Sequence, residues 1–254
     1  MTTSGAPVQF ERSQYPEQSL HGRIVHAIGR RILCGNLQPG ALLPAERELR
    51  ASRTVVREAV KVLAAKGLVE SRPKTGTRVR TRDAWNLLDP DVLAWQRDGA
   101  APASHGAQLR SLTEVRRIIE PAAAELAAAR ADAHDIAALV QALAEMEQTA
   151  LPARGADFEA FVQADMRFHL AILRAGRNDL LEQMSRVVYS ALLVSFRSTS
   201  GLPGRAKASL PKHRAILDAI RAGDPDRAGA AMRRLVQSTA REVEALGKRP
   251  RTKR

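Results

Sequence analysis

Asp165 and His169 stand four residues apart in a helical stretch, which places both on one helix face. His213 lies on a later helical stretch and could converge with them inside a bundle. One carboxylate and two imidazoles suit a divalent cation such as zinc, manganese or nickel, with positions left open for water or a ligand. The same spacing also suits an ordinary surface ion pair, and spacing alone does not choose between them. A second group of reactive side chains lies nearer the N-terminus. Arg53, Thr54, Arg57 and Lys61 project away from a stripe of Val56, Ala59, Val60 and Leu63. Guanidinium forks read guanine edges in the major groove or grip phosphates, and a threonine adds a small hydroxyl. Arg72, Lys74 and Arg78 surround a hairpin tip, where they could meet a backbone or a minor groove. A solvated charged face is the competing reading of both sets. An Asp/His/His cluster could also activate water, which keeps a metal-dependent hydrolase or oxygenase as an alternative. Against it, the sequence shows no separate paired acid and base, no nucleophile motif and no phosphate loop, so no enzyme is expected.

The elements that must carry these residues are mostly helical. The chain has 254 residues, 44% hydrophobic but only 4% aromatic, and is rich in Ala and Leu. That composition favours packed helices over a β-sandwich. A single cysteine, Cys34, excludes a disulfide framework and a cysteine-based zinc site. No apolar run is long enough for a membrane span, and the start lacks the features of a signal peptide, so the cytoplasm is expected. The net charge of +13 is unevenly spread. Residues 1–82 hold 15 basic against 6 acidic side chains, whereas residues 83–246 hold 20 against 21. A basic front joined to a neutral rear suggests one module for a polyanion and another for something else.

Five stretches follow: a disordered tail (1–17), a winged-helix domain (18–82), a linker (83–106), an all-α domain (107–246) and a basic tail (247–254). In the first domain Leu20, Ile24, Ile28 and Ile32 mark one helix, closed by Gly35, and Pro39-Gly40 marks a turn. A second helix is expected near Pro44-Ala45-Glu46, and a third is capped by Ser52. Leu68–Ser71 and Thr77–Arg80 read as two strands. Three helices and a hairpin make a winged helix. The linker holds both tryptophans, Trp85 and Trp95, which read as pins, while residues 97–106 read as a flexible joint. Helices are expected near 107–131, 133–149, 156–175, 178–200, 207–222 and 225–246, with Pro121 kinking the first. Their short connections imply an antiparallel bundle.

The wording adds a resemblance. Gly40-Ala41-Leu42-Leu43-Pro44-Ala45-Glu46-Arg47-Glu48-Leu49, Ser52-Arg53-Thr54-Val55-Val56-Arg57-Glu58-Ala59 and Gly67-Leu68-Val69-Glu70 resemble the winged helix of GntR-family transcription regulators. The resemblance implies DNA contacts from Arg47, Ser52, Arg53, Thr54, Val55 and Arg57, with Gly76 letting the wing approach closely. About four residues of the pattern are missing between Leu49 and Ser52, where only Arg50-Ala51 stand. No Gly or Pro interrupts the chain between Ala45 and Lys66, so one continuous helix is physically open, and it would misdirect Arg53 and Arg57. A DNA-incompetent member of the family is therefore a further alternative.

The second module, through Leu112–Ala123, Asp165–Leu170, Gly176-Arg177-Asn178 and His213–Ile220, resembles the FadR-type C-terminal effector domain (FCD). Domains of that type often hold a metal through one Asp and three His beside a carboxylate effector. Asp165, His169 and His213 match three positions, while Leu235 stands where the fourth His is expected. The linker is similar to the branch containing the bacterial D-galactonate repressor. That likeness implies Arg116 as a partner for an effector carboxylate, with Arg117 and Arg197 as further candidate cations. Together these resemblances imply an effector-responsive DNA-binding regulator, a repressor of a carboxylate or sugar-acid operon. Its expected partners are operator DNA, a small carboxylate such as an aldonate, and a second copy of the chain.

Overall fold

The computed structural model describes residues 15–16, 18–99, 102–150, 156–184 and 204–247. Most of both expected tails, Arg197 and the dividers at 152, 155 and 201–203 lie outside those residues. The chain divides into two compact units, Met1–His105 and Gly106–Arg254.

Unit one opens with α1 (Leu20–Leu33), capped by Ser19, whose hydroxyl accepts from the Gly22 N–H. Ile24, Val25, Ile28 and Ile32 are buried along it, whereas Leu20, in its first turn, stays exposed. Gly35 and Gly67, both at positive φ, close α1 and α2 (Arg53–Ala65). Gly67 has a second constraint, because a Cβ there would lie 2.1 Å from the Ala84 carbonyl oxygen. β1 (Val69–Arg72) and β2 (Gly76–Val79) pair antiparallel, with Val69 opposite Val79 and Arg72 opposite Gly76. The 40–43 segment lies along β2: Gly40 N–H donates to Val79, and Leu43 N–H donates to Thr77. The wing is thereby tied to the turn ahead of α2.

The expected second helix is absent. Residues 46–50 form turns, and Arg50 takes a positive φ of 48°. The single rod from Ala45 to Lys66 is equally overturned. Leu49 and Ala51 both pack against the core. Residues two apart cannot face the same side of a helix, so burying both forces a break at Arg50. Ser52, extended at ψ 155°, then restarts the helix as its cap. The inner stripe of α2 is Val55, Ala59, Val62 and Leu63, with Val60 beside it; the expected Val56 is not part of that cluster.

The joint expected over 97–106 is largely helical. α3 (Pro90–Gly99) ends and α4 (Pro102–Arg130) begins within it, and only 100–101 lie outside the described residues. α3 belongs to the core of unit one. Trp95 is buried on α1 against Gly29, and its indole N–H donates to His26 Nδ1 at 2.7 Å. Because His26 accepts at Nδ1, its Nε2 carries the hydrogen and donates to the Tyr15 carbonyl at 2.9 Å. Lys66 Nζ, almost fully buried, pairs with Asp89 and Asp91 at 2.8 Å each.

Every regular element among the described residues of unit two is a helix. α4 runs unbroken through Pro121. α5 (Ala133–Thr149) starts on an Asp132/Asp135 capping box and packs on α6 (Ala156–Ala175). α7 is described over 179–184. α8 (Arg205–Arg221) packs on α5 and on α9 (Pro225–Gly247). Reversals at 131–132 and 222–224 are too short to permit anything but neighbouring helices.

Candidate DNA-reading face and candidate metal centre

On α2, Arg53, Thr54 and Arg57 are exposed on the side opposite Ala59 and Leu63. Ser52 is exposed, but its hydroxyl already accepts the Val55 N–H at 3.4 Å. Val55 is half-buried against the core, so it presents little beyond the edge of its side chain. Arg53 Nε donates to Glu46 at 3.0 Å while its side chain remains 86% exposed. This pair adds little stability, but it leaves the two terminal nitrogens of Arg53 facing outward. Arg47, in the shortened turn, and Gly76, on the wing at positive φ, are both exposed. Lys74 is exposed at the hairpin tip. Arg78 is otherwise occupied, donating to the Gly40 carbonyl at 2.9 Å, and Arg72 pairs with Glu70.

In unit two, α6 supplies Asp165 and His169 and α8 supplies His213, and the structure brings the three together. One ligand atom from each lies within 4.8 Å of the others, and all three residues are buried. Asp165 Oδ1 is 3.0 Å from His213 Nε2, and Asp165 Oδ2 is 3.7 Å from His169 Nε2. Ligand atoms around one metal at bond lengths near 2.1 Å stand roughly 3.0–3.4 Å apart, so the spread is close to that of a binding set. Each ring has a polar group behind its far nitrogen, hydrogen-bonded at His213 and within ion-pair distance at His169. His213 Nδ1 faces the Ser209 carbonyl at 3.0 Å, and His169 Nδ1 lies 3.0 Å from Glu120 Oε2. Ligating imidazoles are normally oriented this way, by a carbonyl or carboxylate at the far nitrogen. Phe168 sits edge-on to both rings, with centroids 6.1 and 5.2 Å away.

The centre is electrostatically unfinished without a cation. Both Asp165 oxygens, His213 Nε2 and His169 Nδ1 are buried with no aligned hydrogen-bond partner. Such groups are costly to bury unless something satisfies them. Burial alone would raise the Asp165 pKa, but His213, His169 and Arg116 outweigh it and hold the carboxyl below its ordinary value. At Glu120 burial again pushes upward, yet Arg116 and His169 bring the carboxyl down to about 2. The residues present therefore fit a divalent ion.

Arg116, on α4, is 1% exposed. Its Nε donates to Glu120 Oε1 at 2.5 Å, and its Nη2 donates to Oε2 at 3.3 Å. Its Nη1 remains buried without a partner at the wall of a pocket of about 40 Å³. Asp165, His169 and His213 line the same pocket, and so does Leu235, an apolar wall where a fourth ligand was expected. Arg117 is exposed and does not line it. Sequence reasoning missed Glu120, Arg205 and Glu242. Glu120 had a readable signal, one helical turn after Arg116. Glu242 follows Leu235, Ser238 and Thr239 at helical spacing, a polar run on an otherwise buried stripe of α9.

A winged reader followed by a separate helical domain with a buried ligand-type pocket defines a DNA-binding transcription regulator. Residues 20–79 match the model for bacterial regulatory proteins of the gntR family, and residues 111–238 match the FCD domain. The chain belongs to the gntR family and carries an FCD domain. It is 37% identical over 229 residues to the galactonate operon transcriptional repressor of Escherichia coli (strain K12), covering 88% of this chain and 96% of that protein. It is 32% identical over 207 residues to the transcriptional regulator LutR of Bacillus subtilis (strain 168), covering 78% and 89%. Among solved structures, Lar of Listeria monocytogenes shares the fold, with a TM-score of 0.63 at 18% identity over 89% of this chain and 97% of that one.

Proposed function

We propose that the protein is an effector-responsive repressor of a carboxylate or sugar-acid catabolic operon, acting in the cytoplasm as a homodimer. The observation that carries the effector half is the unsatisfied pocket: Asp165 oxygens and His213 Nε2 facing each other beside the unpartnered Nη1 of Arg116. The name of the galactonate operon relative supports the substrate class. Asp165, His169 and His213 would hold a divalent ion, which would supply Lewis acidity for a carboxylate. Arg116 donates from Nη1 to the same carboxylate, with its remaining nitrogens fixed by Glu120 so that the guanidinium is already oriented. Glu120 also places its charge 3.0 Å from His169 Nδ1.

On the DNA side, Arg53, Thr54 and Arg57 enter the major groove, Arg47 and Ser52 contact the adjoining backbone, Val55 makes an edge contact, and Gly76 brings the wing to a phosphate. Two such readers in a dimer address half-sites about one helical turn or more apart. Effector binding shifts the population between arrangements that differ in operator affinity. Gel-shift titration against the upstream DNA at moderate salt tests this. The expected result is a saturable, sequence-dependent complex whose affinity changes when a carboxylate effector is added. Purely salt-sensitive, sequence-independent binding would overturn the reader, and operator affinity indifferent to every bound carboxylate would overturn the switch.

A further inference from the structure

The pocket contains a second polar pair that the metal and carboxylate anchor do not use. Arg205 lies in the first turn of α8, and Glu242 near the end of α9. Arg205 is eight residues before His213, and Glu242 is seven after Leu235, so both stand about two turns, or roughly 10–12 Å of helix rise, from the level of the metal ligands. Arg205 Nε and Glu242 Oε2 are in ion-pair contact. Arg205 Nη1 is buried without a partner, and Glu242 Oε2 has no aligned hydrogen-bond donor. Both residues line the pocket, with Ser238 and Thr239 beside them. Neither belongs to the set that closes around Asp165.

We infer that Arg205 and Glu242 form a hydroxyl-reading pole, so that the pocket selects carboxylates bearing hydroxyls several carbons from the carboxyl group. The pair offers an open donor next to an acceptor. A hydroxyl both donates and accepts, and it satisfies the two together. A second carboxylate only accepts: Arg205 and Lys212, whose Nζ is bonded to Ser238, would attract it, while Glu242 in the same wall would face it as a like charge and find no donor on it. An unsubstituted alkyl chain would leave Arg205 Nη1 buried and unmatched, and sites of that kind reject ligands lacking the hydroxyl by large factors. The inference rests on the reading that the pocket takes a carboxylate.

Calorimetric titration of the full chain in buffer containing zinc tests it without any substitution. The probes are acetate, hexanoate, hexanedioate and three six-carbon aldonates (gluconate, galactonate, mannonate). At least one aldonate is expected to bind roughly 100-fold or more tighter than hexanoate and hexanedioate. Glu242→Gln should then reduce that preference about tenfold or more, with metal content and acetate affinity unchanged. Hexanoate or hexanedioate binding as tightly as the best aldonate would overturn the inference while leaving the carboxylate reading intact. So would a Glu242→Gln protein that keeps the full preference, or binding confined to acetate. Failure of every probe, acetate included, would overturn the carboxylate reading itself and this inference with it.

Discussion

Glu120 touches both halves of the pocket. One carboxylate oxygen takes the Arg116 Nε–H, and the other faces both the Arg116 Nη2–H and His169 Nδ1. Glu120→Gln keeps the shape but removes the charge behind His169. Loss of such a supporting group typically weakens metal affinity about 10- to 100-fold, and competition with a chelator on the purified protein should show that drop. The reading face gives a second prediction at this scale. Arg53 keeps its terminal nitrogens outward while Glu46 holds its Nε. Arg53→Ala should cost about 1–3 kcal/mol of operator binding and relax discrimination at one base pair. Anisotropy titrations on operator and on single-base variants check both parts. A uniform loss across all sequences would instead mark Arg53 as a phosphate contact.

At the scale of elements, α3 is held on α1 by packing and α2's end is held to α3 by charge. Gly29 lies directly under Trp95, and a Cβ there would sit 2.4 Å from the indole Cε3. Gly29→Ala therefore overpacks the α1–α3 contact and should destabilise unit one by about 1–3 kcal/mol, read as a lower thermal midpoint. Lys66 is the buried cation between Asp89 and Asp91. Burial lowers its pKa, but the hydrogen bonds and charges of Asp89 and Asp91 outweigh that and raise it above 10.5. Its contribution to stability is thus fully present below pH 10.5 and is lost as the pH rises through the higher folded value. Lys66→Met leaves two carboxylates without their cation and should cost about 3–5 kcal/mol near neutral pH. In denaturant titrations the gap between wild type and variant should stay constant up to pH 10.5 and narrow above it.

For the whole molecule, the proposed switch carries a thermodynamic constraint. If an effector changes operator affinity, the operator must change effector affinity by the same factor. A coupling of about 1–3 kcal/mol corresponds to roughly 5- to 150-fold. Calorimetry of the effector with and without saturating operator should return the factor seen in the gel shift. Unequal factors would mean that the two ligands do not act on one shared equilibrium. The front of the chain carries most of the positive charge, so operator affinity should also fall steeply with salt, whereas effector affinity should fall far less.

Helix positions among the described residues of the rear domain, and the two wing strands to within a residue, were legible in the residues alone, because both rest on local periodicity and on breakers such as Gly67 and the 222–224 turn; the helix expected over 178–200 is described only over 179–184. The Asp165/His169 pair was legible for the same reason: a spacing of four fixes a shared face. The sequence by itself could not decide whether residues 45–66 form one rod. That answer came from burial of Leu49 and Ala51 on the same core, a long-range demand that local propensity does not contain. The linker misled for a similar reason. Its Ala, Gly, Pro and Ser content suggested a loose joint, but Trp95 on Gly29 and Lys66 between two aspartates make α3 part of the first unit. Only tertiary structure brought Arg205 and Glu242 to the pocket wall. They lie on different helices, 37 positions apart, and no spacing rule connects side chains that meet only because α8 packs on α9.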